Sequence, residues 1–370
     1  MFNGSTSHGF FGQRRIRHPS ETKLLVIGLL IGLIGLAIVA TTAAAAPAGG
    51  VWDAIPEPFG TPLSLALLAP IPIWVFRALE YGKLRTQAVR MTPSQFPEGY
   101  RMVAEAARTF GLRRVPDAYV TLGNGTINAF AVGHGFRRFV AVNSDLFEVG
   151  GQARDPEALR FVIGHEVGHI AAGHTSYFRL VFTTLLRQLP ILGPAFSRAQ
   201  EYTADNFGYL AAAPGAPGVM GTLAAGKYLN AHVNFHELCD RAATEKGLWV
   251  HVVNWQLSHP PSTWRANALR DRSRPGRIWF RPGFGGGRKT QFVAALPAGG
   301  ARSGRYPTPD EAIALLDRAA ADGTVREQQF GRFPGVDYSQ LPGIRDLQLA
   351  QPALSRSADA GPVPSDPGAA

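Results

Sequence analysis

His165, Glu166 and His169 stand in the stretch FVIGHEVGHIAAGH, residues 161–174, whose other residues are mostly apolar. Residues four apart on a helix share one face. His165 and His169 therefore point the same way, about one turn apart, where two neutral imidazoles can hold one metal ion. Glu166 is adjacent and can take a proton from a metal-held water without being a ligand itself. The metal lowers the pKa of that water, so a hydroxide nucleophile exists near neutral pH. The flanks are apolar, which predicts a buried helix, and buried polar groups need partners. Two satisfied core histidines would be the plainer explanation, but they leave Glu166 without a purpose. Gly164 and Gly168 are poor helix formers and predict close approach by another backbone.

A catalytic zinc site takes three protein ligands and keeps one position open. His174 does not qualify. The extended motif HExxHxxGxxH needs glycine and histidine where this chain has Ala172 and Thr175. His174 is off the ligand face and is expected to cap the helix C-terminus, where positive charge is favoured. Glu201 and Asp205, in SRAQEYTADNFG, share a helix face. Glu201 is the candidate third ligand, with Asp205 holding a ligand or a basic group in place. An ordinary solvated acidic face is the other explanation for that pair. HELCD begins the motif again but puts Asp240 where the second histidine belongs, which leaves His236 a surface or supporting group. In LSHPPSTWRANAL, His259 precedes a proline pair and Arg265 opens a helix. An imidazole near zinc could donate to a developing oxyanion, and Arg265 could pair with Asp205.

These residues need elements to position them. Pro93–Leu112 has helical spacing, with Val103, Ala106, Ala107 and Phe110 on one face. Short strands are expected at Val115–Leu122, Asn128–Val132 and Arg138–Phe147, separated by the glycine-rich turns GNGT and GHGF. Asp155 is a candidate N-cap, with Pro156 at the first helical position of the motif helix. Tyr177–Phe196 is apolar yet holds Arg179, Arg187, Pro190 and Pro194. It is expected to be a helix and a turn, packed on the domain or lying at a membrane surface, since arginines inside hydrocarbon are costly. Further helices are expected at Ser197–Ala213, Ala216–Cys239 and Ser262–Arg272. Beyond about residue 281 the composition turns to glycine, proline, alanine and arginine. One short helix is expected at Thr308–Ala321, in an extension (282–370) that is otherwise largely disordered.

The 370 residues are 45% apolar and only 17% charged, with a net charge of +10, which calls for an anionic partner. Lys23–Ala46 carries no charge after Lys23 and is long enough to span a bilayer. A cleaved signal peptide is the alternative, given the small residues that follow it. A second apolar segment, Phe59–Leu79, contains Pro70 and Pro72, which membrane helices tolerate. Arg14, Arg15, Arg17 and Lys23 precede the first segment, and Arg77, Lys83, Arg85 and Arg90 follow the second. The link between them carries only Asp53 and Glu57. The positive-inside rule then gives a hairpin (23–80) with a cytoplasmic basic N-terminus (1–22) and a cytoplasmic catalytic domain (92–281). If the second segment does not insert, that domain lies outside. The single cysteine, Cys239, excludes an internal disulfide and suits the cytoplasm. No stacking module accompanies the basic run Arg265–Lys289, so anionic lipid explains it better than nucleic acid.

HEVGH, preceded by NAFAV and followed by EYTAD and SHPPSTWR, resembles the HtpX-like and CAAX-prenyl-protease group of membrane gluzincin endopeptidases. The match runs from about Thr92 to Arg272. The resemblance implies an α+β, zincin-like, mainly helical metallopeptidase domain with a small β-sheet. It implies one zinc on His165, His169 and Glu201, with Glu166 as general base and later proton donor. Asp205 and Arg265 would brace the third-ligand helix, and His259 would steady the tetrahedral intermediate. Asn128, Ala129 and Phe130 would line the cleft, where an extended substrate adds as a strand. Polypeptides, including unfolded or membrane proteins, are the implied substrates, in quality control or regulated cleavage. A catalytically silent, binding-only member is the alternative. The short interval from His169 to Glu201 departs from relatives that carry two membrane segments there. A two-helix hairpin also cannot form the chamber of true prenyl-protein proteases, which argues against prenylated substrates.

Overall fold

The structure, a computed structural model, describes residues 16–45, 55, 59–148 and 155–283. Helix α1 (Pro19–Ala45) starts with proline and carries Glu21 in its first turn, both suited to a helix N-terminus. Its outer part is apolar all round and exposed, with Leu33 at 60% and Ile34 at 59%. α2 (Gly60–Leu68) and α3 (Pro70–Gln87) meet at a 46° bend, where Pro70 supplies no backbone N–H. Among the described residues, one helix is long and apolar enough to cross a membrane, or two if the bent pair is one span.

A small mixed sheet follows. Its strands are β1 (Val89–Arg90), β2 (Asp117–Thr121), β3 (Ala129–His134) and β4 (Arg137–Asn143), in the order β1-β2-β4-β3. β2 and β4 are parallel, and the outer pairings are antiparallel, which leaves β3 as an edge. The third expected strand is shorter than its sequence pattern, because Ser144–Phe147 turn into helix α5. There Asp145 is buried and accepts from the backbone N–H of Gly125, so it cannot continue an apolar strand face.

Helix α4 (Pro97–Thr109) covers one side of the core. Helix α6 (Pro156–Ala171) runs through the centre, its start capped by the Asp155 carboxylate accepting from the Ala158 N–H. Two short helices, α7 (Tyr177–Phe182) and α8 (Thr184–Gln188), fill the interval that could have held a spanning segment. Neither exceeds six residues, and they pack beside α1, with Gly28 facing Leu186 and Gly32 facing the Phe182 carbonyl. Helix α9 (Leu192–Ala212) starts earlier than its sequence suggested. The expected helix Ala216–Cys239 is two: α10 (Ala216–Leu229) and α11 (Phe235–Thr244). Gly226, at φ +78°, breaks the first, and the Asn234 side chain caps the second by accepting from His236 and Glu237 N–H groups. Helix α12 (Leu248–Gln256) was not anticipated, and α13 (Ser262–Arg270) completes the domain. The expected helix Thr308–Ala321 and nearly all of the extension 282–370 lie outside the described residues.

The segment read as a basic cytoplasmic arm is described from residue 16, and there it is built into the domain. Arg17, His18 and Glu21 are buried, as are Leu24 and Leu25, which pack with Phe196 and Ala199 of α9.

α6 and α9 are pressed together at glycines. A Cβ at Gly164 would lie 2.5 Å from the Ala211 Cβ, and one at Gly168 would lie 2.4 Å from the Phe207 Cβ. In the other direction, Gly208 takes the edge of Phe161. Close approach here sets the distance between the HEVGH and EYTAD faces. Gly168→Ala is expected to destabilise the fold by about 1–3 kcal/mol through overpacking. Gly82→Ala, with no atom within 4 Å of the added Cβ, is the control. Thermal unfolding in detergent should show a lowered Tm for the first variant only. Equal Tm values would mean that the interface yields.

Candidate metal centre

α6 presents His165 and His169 on one face, and α9 brings Glu201 opposite them. The ring Nε2 atoms of His165 and His169 are 3.1 Å apart. Glu201 Oε2 lies 3.4 Å from the first and Oε1 lies 3.5 Å from the second. Tetrahedral zinc with ligands about 2.0–2.1 Å away requires donor atoms about 3.3 Å from one another. The two ring nitrogens are close to that spacing, each has a different Glu201 oxygen near it, and one donor atom from each residue lies within 4.8 Å of the other two. Two imidazoles and one carboxylate, all facing one point, form a donor set that suits zinc. This is the group among the described residues that could hold a metal.

Each histidine has a partner behind it. The His165 Nδ1–H donates to Asp205 Oδ1 at 2.9 Å. Asp205 is in turn clamped by Arg265, whose Nε and Nη2 donate at 2.7 and 2.6 Å. Such bidentate charged pairs hold geometry well. His169 Nδ1 contacts His174 Nδ1 at 2.8 Å. The expectation of a charged C-terminal cap at His174 is thereby corrected. α6 ends in a left-handed Gly173 at φ +77°, with His174 N–H bonded to the His169 carbonyl and Gly173 N–H to that of Ile170. This Schellman turn folds the His174 ring back onto His169. Burial pulls His174 down to about 4, which leaves it neutral rather than a positive cap. The glycine directly before His174 was the sequence signal for this turn.

Glu166 is buried on the cleft side of α6 and accepts a hydrogen bond from the Ala131 backbone on β3. Burial pushes its carboxyl up to about 7. Burial also disfavours charge on Glu201, but His169 and His165 outweigh it and hold Glu201 well below the usual carboxylate range. His165 is likewise opposed by burial, yet its bonds to Asp205 and Glu201 hold it up at about 9. His169 is kept neutral by burial.

These groups border a cavity of about 300 Å³. Asn128, Ala129, Phe130, His259 and Arg265 also line it. The His259 side chain is 66% exposed, with Nε2 3.6 Å from Glu201 Oε2. An apolar end is lined by Leu146, Phe161, Val162, Val219 and Leu223. His236 is exposed on α11 and away from the centre, while Asp240 pairs with Arg270.

Residues 93–193 and 176–273 match the family model of peptidase family M48 in two overlapping segments. This domain belongs to peptidase family M48. The mostly helical domain with a small mixed sheet fits that assignment, and the protein is a metallopeptidase, a hydrolase acting on polypeptides. HtpX-like and CAAX-type proteases fall in the M48 family, in agreement with the resemblance read from the motifs. No curated protein and no solved structure matches the chain.

With His165 as a metal ligand, a proton on its ring would compete with the ion. Affinity should be full above about pH 9 and fall about tenfold per unit as pH drops below it, with one proton released per ion bound. Chelator competition across pH 6–9 reads this directly. A flat profile would mean that His165 is neutral in the free site.

Proposed function

We propose that the protein is a membrane-anchored zinc endopeptidase with His165, His169 and Glu201 as ligands and Glu166 as general base. The observation that carries this is the cluster of His165, His169 and Glu201, whose donor atoms lie within 4.8 Å of one another, with the buried Glu166 carboxylate beside it at a strand edge. Bound zinc would supply Lewis acidity for water and for a peptide carbonyl. Glu166 accepts the proton of the attacking water and returns it to the leaving amine. His259, exposed at the cleft, donates to the developing oxyanion. Asp205 and Arg265 hold His165 in the tautomer that leaves Nε2 free.

β3 supplies the substrate track. Asn128 accepts from the Asn143 N–H, so by the antiparallel alternation the N–H and C=O of Ala129 point away from β4, toward the cleft. An extended chain pairing there gains main-chain hydrogen bonds with little demand on its side chains. That tolerance fits unfolded and membrane proteins as substrates, and hence quality control or regulated cleavage.

Glu166→Gln should keep bound metal and lose roughly 10²–10⁴-fold in casein cleavage. Because a nearby cation favours the charged carboxylate, the acid limb of kcat/KM should lie at or below the metal-free value of about 7, with activity rising as pH rises through it. Full activity in the variant, or absence of metal from the folded wild type, would sink the assignment.

α1 together with the bent pair α2–α3 would form the hairpin that leaves both ends in the cytoplasm. Single cysteines placed in the 46–58 link and at exposed Lys83, in a Cys239→Ala background, report this through labelling of intact cells. Labelling of the link alone by an impermeant reagent is expected. Labelling at Lys83 alone or at both sites would refute the hairpin.

A further inference from the structure

The two candidate ligand histidines are supported unequally by the motif region. His165 is held by Asp205, which comes from the helix that carries Glu201. His169 is held by His174, and His174 reaches outside the region altogether. Its Nε2 lies 3.1 Å from Oε1 of Glu21, in the first turn of α1. Glu21 is fully buried. The same Oε1 accepts from Arg17 Nη1 at 2.6 Å and from Arg179 Nη2 at 2.7 Å. Oε2 accepts from the Thr203 hydroxyl, two residues past Glu201. Arg17 also donates to the Ala172 carbonyl at 2.6 Å, at the end of the motif helix.

The protons along this chain have one consistent arrangement. A ligating His169 uses Nε2 on the metal and carries its proton on Nδ1, which donates to His174 Nδ1. The His174 proton is then on Nε2 and donates to Glu21. A carboxylate from the apolar anchor thus occupies, one imidazole removed, the place that Asp205 fills for His165. Metal-bound histidines are regularly oriented by a carboxylate behind them.

We propose that Glu21 is a positioning residue for the metal ligand His169, acting through His174, so that a formed metal site requires the first turn of α1 to be seated. This rests on the metallopeptidase reading of the same site. Arg17 and Arg179 keep Glu21 charged and fixed, and Thr203 ties it to the helix of the third ligand. The anchor is then a structural component of the centre as well as a tether.

The test is a cycle of Glu21→Gln, His174→Gln and the double variant in full-length protein, with zinc affinity measured by chelator competition. Each single change should weaken zinc about 10–100-fold. The double variant should be no weaker than His174→Gln alone, because residues acting in series are not additive. Additive losses, or unchanged affinity in Glu21→Gln, would overturn the proposal while leaving the peptidase reading intact. Wild-type protein that binds no zinc would overturn both. Should Glu21→Gln fail to fold, Glu21→Asp makes the same comparison, since it keeps the charge between the arginines and withdraws it from His174 by one methylene.

Discussion

An imidazole that offers Nε2 to a cation must place the proton of its Nδ1 somewhere, and in a buried site that proton needs an acceptor. In the proposed metal site that requirement is met twice. Asp205 takes the proton of His165, and Arg265 keeps Asp205 charged although it is buried. His174 takes the proton of His169 and passes the demand on to Glu21. Each acceptor comes from a different part of the chain, so the centre draws α1, α6, α9 and α13 together. An unpaired buried charge at either position would cost several kcal/mol, which is why neither carboxylate stands without an arginine.

Backbone packing supplies the other half of the geometry. Gly164 and Gly168 carry no chemical group, but they let α9 approach until Glu201 faces the histidine pair. β3 lies on the opposite side of α6 and bonds Glu166 through Ala131. Glu166, the histidine pair and the strand edge are therefore fixed relative to one helix. Side chains on rigid elements can be held to the tolerance that proton transfer demands, whereas loops could not do this.

The parts of this arrangement that were legible in the sequence are those with short-range signatures. His165, Glu166 and His169 follow from helix periodicity, the start of α6 from Asp155 and Pro156, and the strand at NAFAV from the glycine-rich turns on either side of it. Glu201 and Asp205 were readable as an acidic pair on one helix face among alanines, and Arg265 as a cation at a helix start that could pair with Asp205. What escaped was set by tertiary contact. Ser144–Phe147 have the look of a strand end until Asp145 is seen to hold the preceding turn. His174 looked like a surface cap because its partner, Glu21, is 153 residues away. Glu21 itself was not singled out by anything in the sequence. No local pattern distinguishes it; only the fold does.

The burial of Arg17, His18, Glu21, Leu24 and Leu25 bears on how this protein can be handled. A soluble fragment begun at the conventional boundary, after the apolar segments and before α4, would keep every motif residue. It would also expose Leu186, Phe196 and Ala199, which α1 covers, and leave Arg179 deep inside without its carboxylate. Loss of one partner from such a pair costs about 3–5 kcal/mol, comparable to the whole stability of many domains. Inactivity of that fragment would reveal nothing about the enzyme. For crystallisation or screening, the smallest faithful unit is the anchor and the domain together, carried in detergent or lipid.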